Sequence, residues 1–270
     1  MKKPRILITT ADDFGASRGV NDAVVRAHQE GVLRFASLMV DGPAAEDAAA
    51  RARGLPGLGV GVHLVLCDSA PASWGLRLVL DRSGRRRMEE NLAGQIERFL
   101  GFGLIPTHLD SHCHAHVHPA VFPVMARLAQ CYGIGRIRWP AGELGPSLAY
   151  ANTDGAGGYS PLSALRQAAL AGTFAGLGLF LKWTARGVSM PRCYGLLRSG
   201  MMTEDYVLWL LRRLPEGTTE IYFHPSSEPA AQVRGRPTPT HRSITELLTL
   251  SSPRVKQVIQ EERIDLLGPR

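Results

Sequence analysis

Short β-rich runs alternate with longer helical patterns along this chain. Four of the apolar runs end in an acid or a histidine: ILITTADDFG at Asp12 and Asp13, LGVGVHL at His63, IPTHLDSHCHAHVHP with His112, and EIYFHP at His224. Such alternation marks a largely parallel α/β fold. Polar side chains delivered at the ends of at least four strands suit a TIM-like (β/α) barrel, whose chemistry sits at the C-terminal ends of its strands. A doubly wound open sheet is the alternative. It would need a phosphate-binding glycine loop after the first strand, and ADDFGAS is not one.

Ile6 to Thr10 reads as the first strand, followed by a helix from Arg18 to Glu30 that Gly31 ends in a left-handed cap. Phe35 to Val40 is the second strand, and Asp41, Gly42 and Pro43 open an alanine-rich helix through Arg53. Leu58 to Leu64 is the third strand. Residues 67 to 87 read as an irregular surface loop, after which Leu92, Ile96, Phe99 and Leu100 share one helix face. Thr107 to Leu109 is a short strand, Pro119 to Gln130 a helix and Arg136 to Trp139 a strand. Thr203 caps a helix with an acidic first turn. Glu220 to Phe223 ends the strand series, Ser243 to Leu267 predicts two short helices packed on the outside, and the glycine-rich stretch 152 to 161 predicts a mobile loop. With 270 residues and no internal repeat or linker, a single domain over 1–270 is expected.

Lys and Arg number 31 against 24 Asp and Glu, a net charge of +7, with basic residues gathered at Arg82 to Arg87 and near Arg192, Arg198, Arg212 and Arg213. That excess suits an anionic membrane surface, or equally a solvated basic face. Nucleic acid is disfavoured, because the basic runs carry no interleaved aromatics. The cysteines at 67, 113, 131 and 193 form no CxxC pair, which points to a reducing cytoplasm. The apolar stretch before Asp12 is too short for a signal peptide.

Asp12 and Asp13 adjoin at a strand end, where successive side chains diverge, so one carboxylate can hold a cation while the other takes a proton from water. An isolated pair of this kind would more often cap a helix; the companion motifs favour chemistry. A lone histidine in the apolar run around His63 would usually be a satisfied core residue, yet His108, His112, His114, His116 and His118 crowd into eleven residues with Asp110 and Cys113. Imidazole and carboxylate together suit a divalent first-row metal, with open positions left for water and substrate. If extended, the segment puts His112, His114, His116 and His118 on one face, some of them orienting ligands or touching substrate. His224, fixed in extended backbone by Pro225, is placed to act as a general acid.

TADDFG, GVHL, THLDSHCHAHVHP and FHP, in this order and spacing, resemble the YdjC-like carbohydrate deacetylases, the family of the ChbG and HpnK groups. The resemblance implies an irregular (β/α) barrel and a metal-dependent hydrolase that removes an N-acetyl group from an N-acetylglucosamine-type sugar. It makes Asp12 the catalytic base, His224 the acid, and Asp13, His63 and His112 the ligands of one divalent ion, with zinc, magnesium, manganese, nickel and cobalt all acceptable. His114, His116, Asp110 and Arg198 are then expected at the substrate. Cys113 stands where relatives often carry a basic residue. The runs LMVDGPAAEDAAARARGLPGLGVGVHLVL and LLRSGMMTEDYVLWLLRRLPEGTTEIYFHPSSEP look most like the HpnK branch, associated with deacetylating a glucosamine carried on a hopanoid lipid; chitooligosaccharides such as chitobiose are the alternative substrate.

QAALAGTFAGLGLFL, residues 167 to 181, is uncharged between Arg166 and Lys182, with Trp183 and Arg186 beyond. It falls short of the roughly 20 residues of a spanning helix. It reads either as a lipid-contacting interfacial helix within about 161 to 186, at the cytoplasmic face of the inner membrane, or as a covered barrel helix. With Leu76 to Leu80 it is a candidate cover for an apolar tail. Two competing functions remain: glycoside hydrolysis by Asp12 with Asp110, which needs no metal, and lipid carriage without catalysis. A homo-oligomer is compatible with the sequence.

Overall fold

In a computed structural model the chain is described over residues 3–66, 82–153, 161–228 and 240–269. The strands are β1 (Arg5–Phe14), β2 (Phe35–Leu38), β3 (Gly59–Leu64), β4 (Leu109–Ser111), β5 (Arg192–Tyr194), β6 (Gly217–Phe223) and β7 (Asp265–Leu266). They form a parallel sheet in the order β4-β3-β2-β1-β6-β5, with β7 beside the start of β1. Between β4 and β5 the arc is closed by isolated parallel pairings of Leu109 with Ile137 and of Arg136 with Ser189. The result is an irregular (β/α) barrel.

The helices follow the alternation of the sequence. α1 (Arg18–Glu30) starts where the Ser17 side chain accepts from the Val20 amide and buries Ala23, Val24 and Ala27. Its end differs from expectation. Gly31 has φ −123° and is extended; glycine is needed because a Cβ would sit 2.3 Å from the Leu250 carbonyl oxygen and 2.5 Å from that of Ala27. α2 (Ala45–Arg53) buries Ala45, Ala48, Ala49 and Ala52. α3 (Arg82–Gly101) takes in residues 82–87, so the basic cluster forms first turns of a helix; residues 67–81, including Leu76 to Leu80, lie outside the described residues. Leu92, Ile96 and Phe99 are buried as expected, but Leu100 points out, because the core contacts only one narrow side of α3.

β4 lies two residues later than predicted. Thr107 and His108 still bond across to Val60 and Val62 of β3, so the extended run is longer than the ladder that names it. α4 (Phe122–Cys131), α5 (Leu144–Ala151) and α6 (Pro161–Leu181) follow; the loop expected at 152 to 161 falls largely outside the described residues. α7 (Glu204–Leu211) is capped by Thr203, whose hydroxyl accepts from Tyr206 N, with Glu204 and Asp205 in its first turn. The final helices, α8 (Thr240–Ser251) and α9 (Pro253–Glu261), do more than cover the outside. Glu246, Leu247, Leu250, Val255 and Val258 are buried, and the chain then returns as β7, so β6 does not end the strand series.

Candidate active site

The barrel interior below the strand ends is ionic rather than aliphatic. Arg138 is fully buried there and reaches three carboxylates on three strands: Asp12 through two bonds of 2.6 and 2.8 Å, Asp110 at 2.9 Å and Glu220 at 2.9 Å. Its planar fork suits the bidentate grip on Asp12. Thr10 donates to Glu220, and Ser37 donates to Asp110 at 2.7 Å. Buried His108 bonds Ser37 and Arg136; burial, then the Arg136 charge, drives its pKa down to about 3, so it is neutral. Gly61 is required by that ring, because a Cβ there would lie 2.5 Å from it.

At the end of β1 the ladder to β2 slips between Ala11 and Phe14, which turns the two adjacent carboxylates apart. Asp12 points inward to Arg138. Asp13 has φ +62° and projects to the rim, where its Oδ1 lies 3.3 Å from His63 Nε2 and 3.1 Å from His112 Nδ1. These three residues offer ligand atoms all within 4.8 Å of one another. The donor set fits a divalent ion for a further reason. His63 donates Nδ1–H to Asp110 at 2.8 Å, which turns its Nε2 toward Asp13, where that nitrogen can ligate an ion once it gives up its proton.

The same proximity sets the charges of the cluster, with protons on the imidazoles balancing the carboxylates. Burial alone would lower the His63 pKa, but the Asp110 and Asp13 carboxylates push it up to about 10. The bond to Asp13 takes His112 to about 11. Burial by itself would raise Asp13 and Asp110; the imidazoles at Asp13, and Arg138 with His63 at Asp110, hold both well below the usual carboxylate range. Asp12 moves the other way, because burial outweighs the pull of Arg138.

The histidine segment is not the extended face expected of it. Residues His112–Val117 form a 3-10 turn broken by left-handed backbone at Cys113 (φ 54°) and His114 (φ 51°). Turning there sends the histidines to different places. His112 joins Asp13. His116 is buried, with Ser111 Oγ at 2.7 Å from Nδ1 and the Arg138 carbonyl at 2.9 Å from Nε2, so both ring nitrogens are engaged by the wall. His114 Nε2 lies 2.8 Å from Tyr222 Oη. Buried Tyr222 shows no other acceptor for its hydroxyl among the described residues, so it donates to Nε2 and places the His114 proton on Nδ1. That Nδ1 has no protein partner among the described residues.

Two further residues expected at the substrate, Asp110 and Arg198, are buried. Asp110 is fully enclosed by His63, Ser37 and Arg138 and orients His63 instead. Arg198 is buried, its guanidinium 4.7 Å from the centres of both the Tyr150 and Tyr206 rings. His224 is half-buried at the end of β6, near enough to help depress Asp13, with Ser199 Oγ 3.5 Å from its Nδ1. Its backbone N–H donates to Glu246 of α8. Arg138 and Glu246 were not singled out by sequence. A charged residue inside the predicted strand 136 to 139 was the available signal for the first; the second, on a distant helix, gave none.

A family model described as YdjC-like protein matches residues 6–261. A carbohydrate deacetylase of Geobacillus stearothermophilus is 47% identical over 141 residues, covering 48% of this chain and 58% of that protein. A chitooligosaccharide deacetylase of Salmonella paratyphi B is 40% identical over 145 residues, with the same shares of each chain. The chain thus spans a little over half the length of these relatives. Among solved structures, a candidate cellobiose-phosphate cleavage protein from Enterococcus faecalis V583 shares the fold with a TM-score of 0.69 at 22% identity, over 98% of this chain and 97% of that one. A family 4 carbohydrate esterase from Streptomyces lividans, solved with acetate, shares it at 0.50 and 14% identity, over 98% and 92%.

Proposed function

Since this chain belongs to the YdjC-like family, we propose that it is a metal-dependent hydrolase that removes the N-acetyl group from an amino sugar. One observation carries this reading: Asp13, His63 and His112 converge on a single point while Asp12, one residue away, is held apart by Arg138. The names of the similar proteins, carbohydrate and chitooligosaccharide deacetylase, support it.

Asp13, His63 and His112 would hold the ion. A divalent ion there supplies Lewis acidity to the acetamide carbonyl and makes water easier to deprotonate. Asp12 takes the proton of the attacking water. Burial raises its basicity and Arg138 fixes its orientation, so it meets that water without rearranging. The tetrahedral oxyanion needs donors, and the buried Nδ1–H of His114, set by Tyr222 and without a partner among the described residues, would serve as one. His224 then gives its proton to the amine nitrogen as the C–N bond breaks. Acetate and a free amine leave.

The finer reading is that the sugar is carried on a hopanoid, as N-acetylglucosaminyl bacteriohopanetetrol, in a single-domain cytoplasmic enzyme. The two runs that look like the HpnK branch support it. The name of the Salmonella relative favours a chitooligosaccharide instead. Mass spectrometry of each substrate after incubation with metal-loaded protein decides between them. Loss of one acetyl group from either supports deacetylation, and no loss from both, with the metal bound, would overturn it.

A further inference from the structure

We propose that α6 is a membrane-docking helix that lies flat on an anionic bilayer. It is the one helix among the described residues long and apolar enough to cross a membrane, yet only 11% of its apolar window is buried. Its inner side carries Phe174, Leu177 and Leu181 against the core. Its outer side leaves Leu179 84% exposed, Phe180 72% and, just beyond, Trp183 66%. Thr173, a polar side chain on this face, spends its hydroxyl on the Ala169 carbonyl at 2.8 Å, so it presents no unsatisfied donor to lipid.

Charge selects the occupant. From residue 155 to residue 203 the chain contains no Asp or Glu, while Arg166, Lys182, Arg186, Arg192 and Arg198 are all basic. Exposed Arg166 stands at one end of the apolar face and exposed Lys182 and Arg186 at the other, with Trp183 beside them. Cations and an indole bordering an apolar strip match acidic headgroups over acyl chains. A second copy of this protein would bring the same positive ends together.

Geometry selects the posture. The Trp139 indole N–H donates to the Phe174 carbonyl at 3.1 Å, and Gly178 lies against the same ring, where a Cβ would be 2.8 Å from Nε1. A helix tied to the barrel at its middle cannot leave it to span a bilayer, so it rests along the surface. Trp139 directly follows Arg138, which joins the docked face to the clamp on Asp12.

The test is co-sedimentation of the full chain with phosphatidylcholine vesicles, with and without phosphatidylglycerol. Wild-type protein should pellet with the anionic vesicles. The double variant Leu179→Glu, Phe180→Glu should lose at least about tenfold in binding, given the apolar surface withdrawn. Lys182→Glu with Arg186→Glu should lose binding and its salt sensitivity. Both variants should release acetate from a soluble acetylated chitooligosaccharide at the wild-type rate, which separates this proposal from the proposed activity. Absence of pelleting, equal pelleting with both vesicle types, or unchanged binding by the double variant would overturn it. So would a lipid-free dimer that the double variant dissociates, if the wild type ignores vesicles.

Discussion

Asp13, Cys113 and His114 are three of the four non-glycine residues with positive φ among the described residues, and all three sit at the site. Strained backbone gathered at one place marks where positioning outweighs local preference. It also explains what was legible at this scale. Asp12, Asp13, His63 and His112 stand out in the sequence because each ends an apolar run, and the fold brings the last three within reach of one ion. The separate routes of His114 and His116 depend on two left-handed residues that no period reveals. Asp12→Asn keeps the side chain's size but removes the base and turns one of the two oxygens that accept from Arg138 into a donor; turnover should fall by about a thousandfold or more while metal content, read by atomic emission, is unchanged. His63→Ala should strip the ion under the same measurement. Because the metal-free His63 and His112 hold protons up to about pH 10 and 11, cation uptake at pH 7 must displace them. Affinity should therefore tighten as pH rises, by about tenfold per unit for each proton displaced. Titration calorimetry in buffers of different ionisation enthalpy counts those protons.

Elements with strong periodicity or caps were read correctly from sequence, as at α1 and α7, because their signals are local. Cap conformations and packing partners were not, as at Gly31 and α8. Gly31 looked like a left-handed cap and is a contact point for α8; the region of α8 looked external and supplies Glu246 to the interior. Glu246 accepts from the backbone amides of His224 and Met202, so α8 fixes both the end of β6 and the loop before α7. Glu246→Ala leaves those amides unpaired and should cost about 1–3 kcal/mol in chemical denaturation. If it also loosens His224, kcat should drop with metal content unchanged. Gly61→Ala should be destabilising for a different reason, since its methyl group must displace the His108 ring and with it Ser37 and Arg136. A lower unfolding midpoint with an unchanged denaturant slope is the expected reading.

The fold class was plain from alternation, because each strand and each helix declares its own period. What alternation could not show is that the barrel is filled by charge. Arg138 joins Asp12 of β1, Asp110 of β4 and Glu220 of β6, so a single side chain ties together residues 126, 28 and 82 positions away from it. Arg138→Met should leave three carboxylates uncompensated and cost about 3–5 kcal/mol, visible as a lower denaturation midpoint and partly relieved at acid pH. That guanidinium is carried on the most lightly stitched part of the wall, where the pairing of Ile137 with Leu109 and of Arg136 with Ser189 does the work of a whole strand. Such a seam is the first place for a ring to breathe. When it parts, the keystone slides and the aspartate loses its aim before anything else unfolds, so deuterium should enter at the amides of Ile137 and Ser189 in step with fading turnover on gentle warming.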